Sequence, residues 1–77
     1  MTKTEYKKCE NVMDEAIRHG EDAKEEFKKA ESCKDLVEKS ILLAQAHNNL
    51  GYTQGINQVL VSIGFKHDRM KELQSLL

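Results

Sequence analysis

Small and apolar residues recur through the first half of the chain at alternating spacings of three and four residues. The series starts at Tyr6 and keeps one register as far as Ala44, with Lys34 as its only charged member. This is the heptad spacing of helices that pack along a shared line of contact, so it predicts helix here. We call these positions the heptad seam: Tyr6, Cys9, Met13, Ala16, Gly20, Ala23, Phe27, Ala30, Lys34, Val37, Ile41 and Ala44.

The unbroken register favours one continuous helix from about Thr4 to about Asn49, which would be roughly 70 Å long. The chain has no proline to enforce a turn, and a hairpin has no reason to keep its register across the turn. A helical hairpin is the alternative. Its turn would lie at Gly20 or at Ser32–Asp35, where a weak capping-box pattern occurs.

Beyond residue 50 the pattern changes to shorter elements. We expect a turn at Gly51–Gly55, with Thr53 as the N-cap of a short helix. Gly64 and Phe65 would end that helix in a Schellman motif, and Asp68 would cap a last helix. Alternating apolar residues at 59–65 also suit a strand, but no second segment is available to pair with it. The apolar positions of the two short helices are Ile56, Val59, Leu60, Ile63, Met70, Leu73 and Leu77.

The predicted fold is therefore all-α, with a long N-terminal helix or hairpin followed by two short helices. We expect one domain over residues 1–77: a charged helix at 1–39, an uncharged core or interface segment at 40–65, and a C-terminal helix at 66–77. A second apolar stripe of Leu36, Leu43 and Leu50 lies beside the heptad seam, so this part of the helix must be covered on two sides. Because so short a chain buries a small core, we expect an oligomeric helical bundle, with a dimer favoured.

The distribution of charge supports a contact surface in the second half. No Lys, Arg, Asp or Glu occurs between residues 40 and 65, whereas charged residues make up 32% of the whole chain. Depletion of charge with retention of neutral polar groups is typical of a buried interface. The residues assigned to the oligomer interface lie on the heptad seam: Met13, Ala16, Ala23, Phe27, Ala30, Val37, Ile41 and Ala44.

Neutral hydrogen-bonding side chains cluster around the predicted turn at Gly51–Gly55. They either cap two helix ends and fix the turn, or form a polar pocket or patch that binds a partner. These candidate binding residues are His47, Asn48, Asn49, Tyr52, Gln54, Asn57 and Gln58.

Several functions are excluded or disfavoured by composition. A net charge of −1 argues against binding of duplex nucleic acid. The three histidines are far apart, and no phosphate-binding loop or metal motif occurs, so we expect no enzyme activity, cofactor or metal. The two cysteines, Cys9 and Cys33, are too few for a disulfide scaffold. Without a signal peptide or a long apolar run, the expected location is cytoplasmic and away from membranes.

Two functions remain. The first is a small non-enzymatic protein-protein interaction module, a homo-oligomer that binds and modulates or inhibits another protein, as adaptors, inhibitors and phage or plasmid accessory proteins do. The second is a ligand-binding or sequestering protein, with a neutral polar pocket for a nucleotide or other small signalling molecule.

Overall fold

The structure, a computed structural model that describes residues 1–77, consists of three α-helices and no strand. Helix α1 spans Lys3–Ser32, α2 spans Leu36–Ser62, and α3 spans Met70–Ser75. The predicted all-α fold, with a long N-terminal helix followed by two shorter ones, is confirmed. The molecule is elongated, at 49 × 16 × 16 Å.

Helices α1 and α2 form a hairpin, so the preferred prediction of one continuous helix over residues 4–49 is wrong. The break falls at residues 33–35, one of the two sites that the sequence offered. Asp35 is the N-cap of α2, and its Oδ1 accepts hydrogen bonds from the backbone N–H of Val37 (2.9 Å) and of Glu38 (3.0 Å). A capping aspartate stabilises a helix start by about 0.5–2 kcal/mol. Folding back also buries the small residues of α1 against the same chain.

The start of α1 and the end of α2 follow familiar capping chemistry. Thr2 and Glu5 form a capping box at the start of α1, in which the Glu5 N–H donates to Thr2 Oγ1 over 3.1 Å. At the end of α2 the predicted Schellman motif is confirmed. The N–H of Phe65 donates to the Leu60 carbonyl (2.9 Å), and Gly64 has a φ of 76°, which glycine adopts without strain.

Three predicted features of the second half are wrong. There is no turn at Gly51–Gly55, because both glycines lie within α2, and Thr53 is an interior residue of that helix rather than a cap. Each glycine costs a helix about 1 kcal/mol, and packing against α1 compensates for that cost. Asp68 does not cap α3 either: its N-cap position is Arg69, which makes no side-chain cap hydrogen bond.

The hydrophobic core lies at the open end of the hairpin, where α3 folds over α1 and α2. Gly20 permits the close approach of α3, since a Cβ at this position would lie 3.0 Å from Leu76 Cδ1. Nearer the hairpin turn, α1 and α2 pack through the small residues Ala23, Ala30 and Ala46. The core at the open end comprises Met13, Ala16, Ile17, Leu60, Phe65, Met70 and Leu73.

Candidate interaction surface

One side of α2 points away from the rest of the molecule over the full length of the helix. With about 3.6 residues per turn, eight residues fall within about 40° of a single line along α2. The buried residues Ala46, Thr53 and Leu60 lie on the opposite side. All eight are exposed and uncharged, and we call them the outer face of α2: Val37, Ile41, Ala44, Asn48, Gly51, Gly55, Val59 and Ser62.

The outer face combines exposed aliphatic side chains with flat positions. Val37 is 71% exposed, and Ile41 and Val59 are each 54% exposed. Between them, a Cβ built at Gly51 or Gly55 would meet no atom within 4 Å. Single exposed apolar residues are common on protein surfaces, whereas a larger uncharged patch that contains them is a candidate contact surface.

The heptad-seam residues assigned to an oligomer interface fall into a buried group and an exposed group. Four of the residues assigned to an oligomer interface (Met13, Ala16, Ala23 and Ala30) are buried, and a fifth, Phe27, is half-buried, so in this fold they pack within the chain itself. The other three, Val37, Ile41 and Ala44, are exposed on the outer face of α2.

Apart from Asn48, which is one of the candidate binding residues, sequence reasoning missed the rest of the outer face. The signal was present, because the spacing of three and four continues from Ala44 through Asn48, Gly51, Gly55 and Val59 to Ser62. It was missed because glycines next to asparagines are typical of a turn.

The seven candidate binding residues do not form one pocket. Asn49 and Asn57 are half-buried and point toward the inside of the hairpin, Asn48 lies on the outer face, and the other four are exposed on the flanks of α2. The Oδ1 atom of Asn57 is buried without a hydrogen-bond partner. A groove between α1 and the end of α3 contains none of the seven, and neither does a smaller groove beside the start of α3.

Two of the candidate residues hold α1 and α2 together. Asn49 Oδ1 lies 2.8 Å from His19 Nδ1, and Asn49 Nδ2 donates to Glu26 Oε1 over 2.7 Å. Because an amide oxygen only accepts, the hydrogen-bond pattern assigns the imidazole proton to Nδ1. Tyr52 packs on the same histidine, with ring centroids 4.2 Å apart. These groups fix which side of α2 faces α1, and therefore which side faces outward.

A second polar cluster fastens the segment between α2 and α3 to the start of α1. The N–H of Arg69 donates to His67 Nδ1 over 3.0 Å, so the proton of a neutral His67 ring lies on Nε2, which is 2.9 Å from Glu10 Oε2. This hydrogen bond, followed by one from Lys7, lowers the pKa of Glu10 below its usual value. Arg69 also pairs with Asp14. None of these groups lies on the outer face of α2.

Comparison with known proteins identifies no relative. No family model, no curated protein and no solved structure matches the chain. No three His, Cys, Asp or Glu side chains lie close enough together to hold a metal ion, and no helix has the length and apolar character needed to cross a membrane.

Proposed function

We propose that this protein is a non-enzymatic interaction module that self-associates through the outer face of α2 and, as a homo-oligomer, binds and modulates another protein. The observation that carries this proposal is the exposure of Val37, Ile41 and Val59 on a face without a single charge.

The energetics of contact support a binding role for this face. Association requires that both surfaces lose water, and an unpaired charge makes that loss expensive. The outer face carries amide, hydroxyl and aliphatic groups only, so its desolvation costs little. Full burial of one aliphatic side chain contributes about 1.5–3 kcal/mol, and about half of that remains available at Ile41 and at Val59, which are 54% exposed.

The fold itself gains from such a contact. Only 12 of the 77 residues are buried. Any surface that binds the folded state and not the unfolded chain adds to stability by mass action. Self-association therefore supports folding and function together.

The neutral-pocket alternative lacks the geometry on which it depended. It required a turn at Gly51–Gly55 that gathers polar groups, and these residues are helical instead. No observation favours a small-molecule ligand over a protein surface as the partner of α2.

The test is light scattering behind size exclusion over a range of protein concentrations, on the wild type and two variants. Ile41→Glu places a charge on the outer face, whereas Gln54→Glu places the same charge on an exposed flank of α2 and is the matched control. We expect the wild type and the control to self-associate and Ile41→Glu to remain monomeric.

The second part of the test is affinity capture from a lysate of the source cells. A bound protein should be recovered with the wild type and its activity should change when the chain is added. Monomeric wild type at every concentration overturns the homo-oligomer, and a homo-oligomer without a protein target overturns the modulating role.

A further inference from the structure

We infer that the outer face of α2 is covered by a second copy of this chain, paired antiparallel about a two-fold axis at Asn48. The inference rests on the proposed function and specifies its partner and register.

The outer face of α2 is complementary to the outer face of a second copy that runs in the opposite direction. A two-fold axis at Asn48 brings together residues at equal distances on either side of it. Ile41 and Gly55 each lie seven residues from Asn48, and Val37 and Val59 each lie eleven residues away. Two and three helical turns separate these residues from the axis, so both pairs stay on the same face.

The bulky and flat positions match in this register. Ile41 extends from the face with 54% of its surface exposed, and Gly55 presents open backbone at the position opposite. A side chain that faces a glycine can contact the partner backbone, which is how small residues bring two helices close.

A parallel pair would lose this match. It would place Ile41 against Ile41 and Gly55 against Gly55, which leaves a void at the glycine position. The antiparallel pair also sets the two helix dipoles in opposition. The geometry therefore favours the antiparallel orientation.

The charge distribution points to a second copy rather than a charged partner. A face with no charge neither attracts a basic or acidic surface nor repels itself. The axis also brings the two Asn48 amides together, where each can donate to the other. A single paired asparagine in an apolar helix contact specifies register and orientation.

The size of the face sets the strength of the pair. Helix α2 has 27 residues, which corresponds to a length of about 40 Å and, with a width of about 10 Å, a footprint of about 400 Å² per copy. The total of about 800 Å² is below the range of about 1,200–2,000 Å² that stable specific interfaces bury, and such an area corresponds to a weak, transient pair. We therefore expect a dimer in concentration-dependent exchange with monomer.

The experiment is disulfide trapping in full-length chains whose native cysteines are replaced by Cys9→Ala and Cys33→Ser. Under mild oxidation, Asn48→Cys should form covalent dimers, because the two-fold axis places this position opposite itself within disulfide reach. An equimolar mixture of Val37→Cys and Val59→Cys chains should form the mixed dimer in preference to either homodimer. Gln54→Cys, on the flank of α2, is the control and should form several-fold less covalent dimer than Asn48→Cys.

A second variant tests the fit of Ile41 against Gly55 of the second copy without cysteine chemistry. Gly55→Leu fills the position opposite Ile41 and should raise the dimer dissociation constant at least tenfold, whereas Gln54→Leu should leave it unchanged. A Cβ at Gly55 would meet no atom of its own chain within 4 Å, so the monomer should keep its helical circular dichroism.

The outcomes separate the inference from the proposed function. A light-scattering dimer that does not cross-link at Asn48→Cys, or that prefers Val37→Cys homodimers, overturns the antiparallel register while self-association stands. A monomeric wild type at every concentration overturns both. Trapping at Asn48→Cys together with loss of the dimer in Gly55→Leu supports the inference.

Discussion

The hydroxyl of Thr53 donates a 2.7 Å hydrogen bond to the backbone carbonyl of Ala16 and so joins the middle of α2 to the middle of α1. Thr53 is fully buried, and its hydroxyl also lies 3.1 Å from the Asn49 carbonyl. A buried hydrogen bond between two helices favours one register, because sliding the helices would break the bond between Thr53 and Ala16.

Replacement of Thr53 by valine keeps the shape of the side chain and removes this hydrogen bond. We expect the free energy of unfolding to fall by about 0.5–1.5 kcal/mol. The measurement is urea denaturation followed by circular dichroism. The companion variant Thr53→Ser keeps the hydroxyl and removes the methyl group, so it measures the contribution of the methyl group separately. An unchanged midpoint in Thr53→Val would show that the hydrogen bond contributes nothing net.

The adjacent residues Val59 and Leu60 should respond in opposite ways to truncation. Leu60 is 2% exposed in the core, so Leu60→Ala should cost about 2–5 kcal/mol. Val59 lies on the outer face, so Val59→Ala should change monomer stability by less than about 0.5 kcal/mol. Denaturation at a protein concentration where the wild type is monomeric measures the stability loss of each variant. Equal losses would mean that α2 is rotated from the orientation described.

Alanine should also have opposite effects at two of the glycines. Gly55→Ala adds a methyl group to open helix surface and should stabilise the monomer by about 0.5–1 kcal/mol. At Gly20 the new Cβ would lie 3.1 Å from Leu76 Cβ and 3.2 Å from Thr53 Cγ2. Such crowding costs about 1–3 kcal/mol, which outweighs the gain in helix propensity. Thermal melts of the two variants should shift in opposite directions, and parallel shifts would contradict the packing of α3 on α1.

The hydrogen bond between His67 and Glu10 predicts a dependence of stability on pH. It lowers the pKa of Glu10 below the ordinary 4.5, with Lys7 as the second cause. A lowered pKa in the folded state contributes stability that is present above the unfolded value and is lost as pH falls through the folded value. The melting temperature of the wild type should therefore drop more than that of Glu10→Gln below about pH 4.5. Parallel curves would show that the contact contributes nothing.

Local patterns in the sequence predicted the helices and their chemistry but not the way they fold back. The heptad seam indicated helix, and Gly64 with Phe65 indicated the end of α2, because both depend on neighbouring residues. The break at Asp35 was recognisable only as a weak cap. A continuous register cannot show whether Ala16 and Ala23 pack against their own chain or another, because both arrangements bury the same residues.

The outer face was harder to predict because two of its positions are glycine. Gly51 and Gly55 next to Asn48 and Asn49 are typical of a turn. They remain helical because Asn49 and Thr53, on the opposite side, are held by hydrogen bonds to α1. Tertiary contact overrides local propensity here, and a single sequence does not contain that information.

The three-residue connection between α1 and α2 has a consequence for folding speed. The sequence separation of the contacts across the hairpin increases toward its open end. It is 23 residues between Glu26 and Asn49, 37 between Ala16 and Thr53, and 60 between Tyr6 and Lys66. Each contact formed near the connection therefore shortens the loop that the next one must close, which lowers its entropic cost. Folding should therefore start beside residues 33–35 and proceed toward the open end of the hairpin. It should be complete within the microsecond-to-millisecond range that is typical of helical proteins.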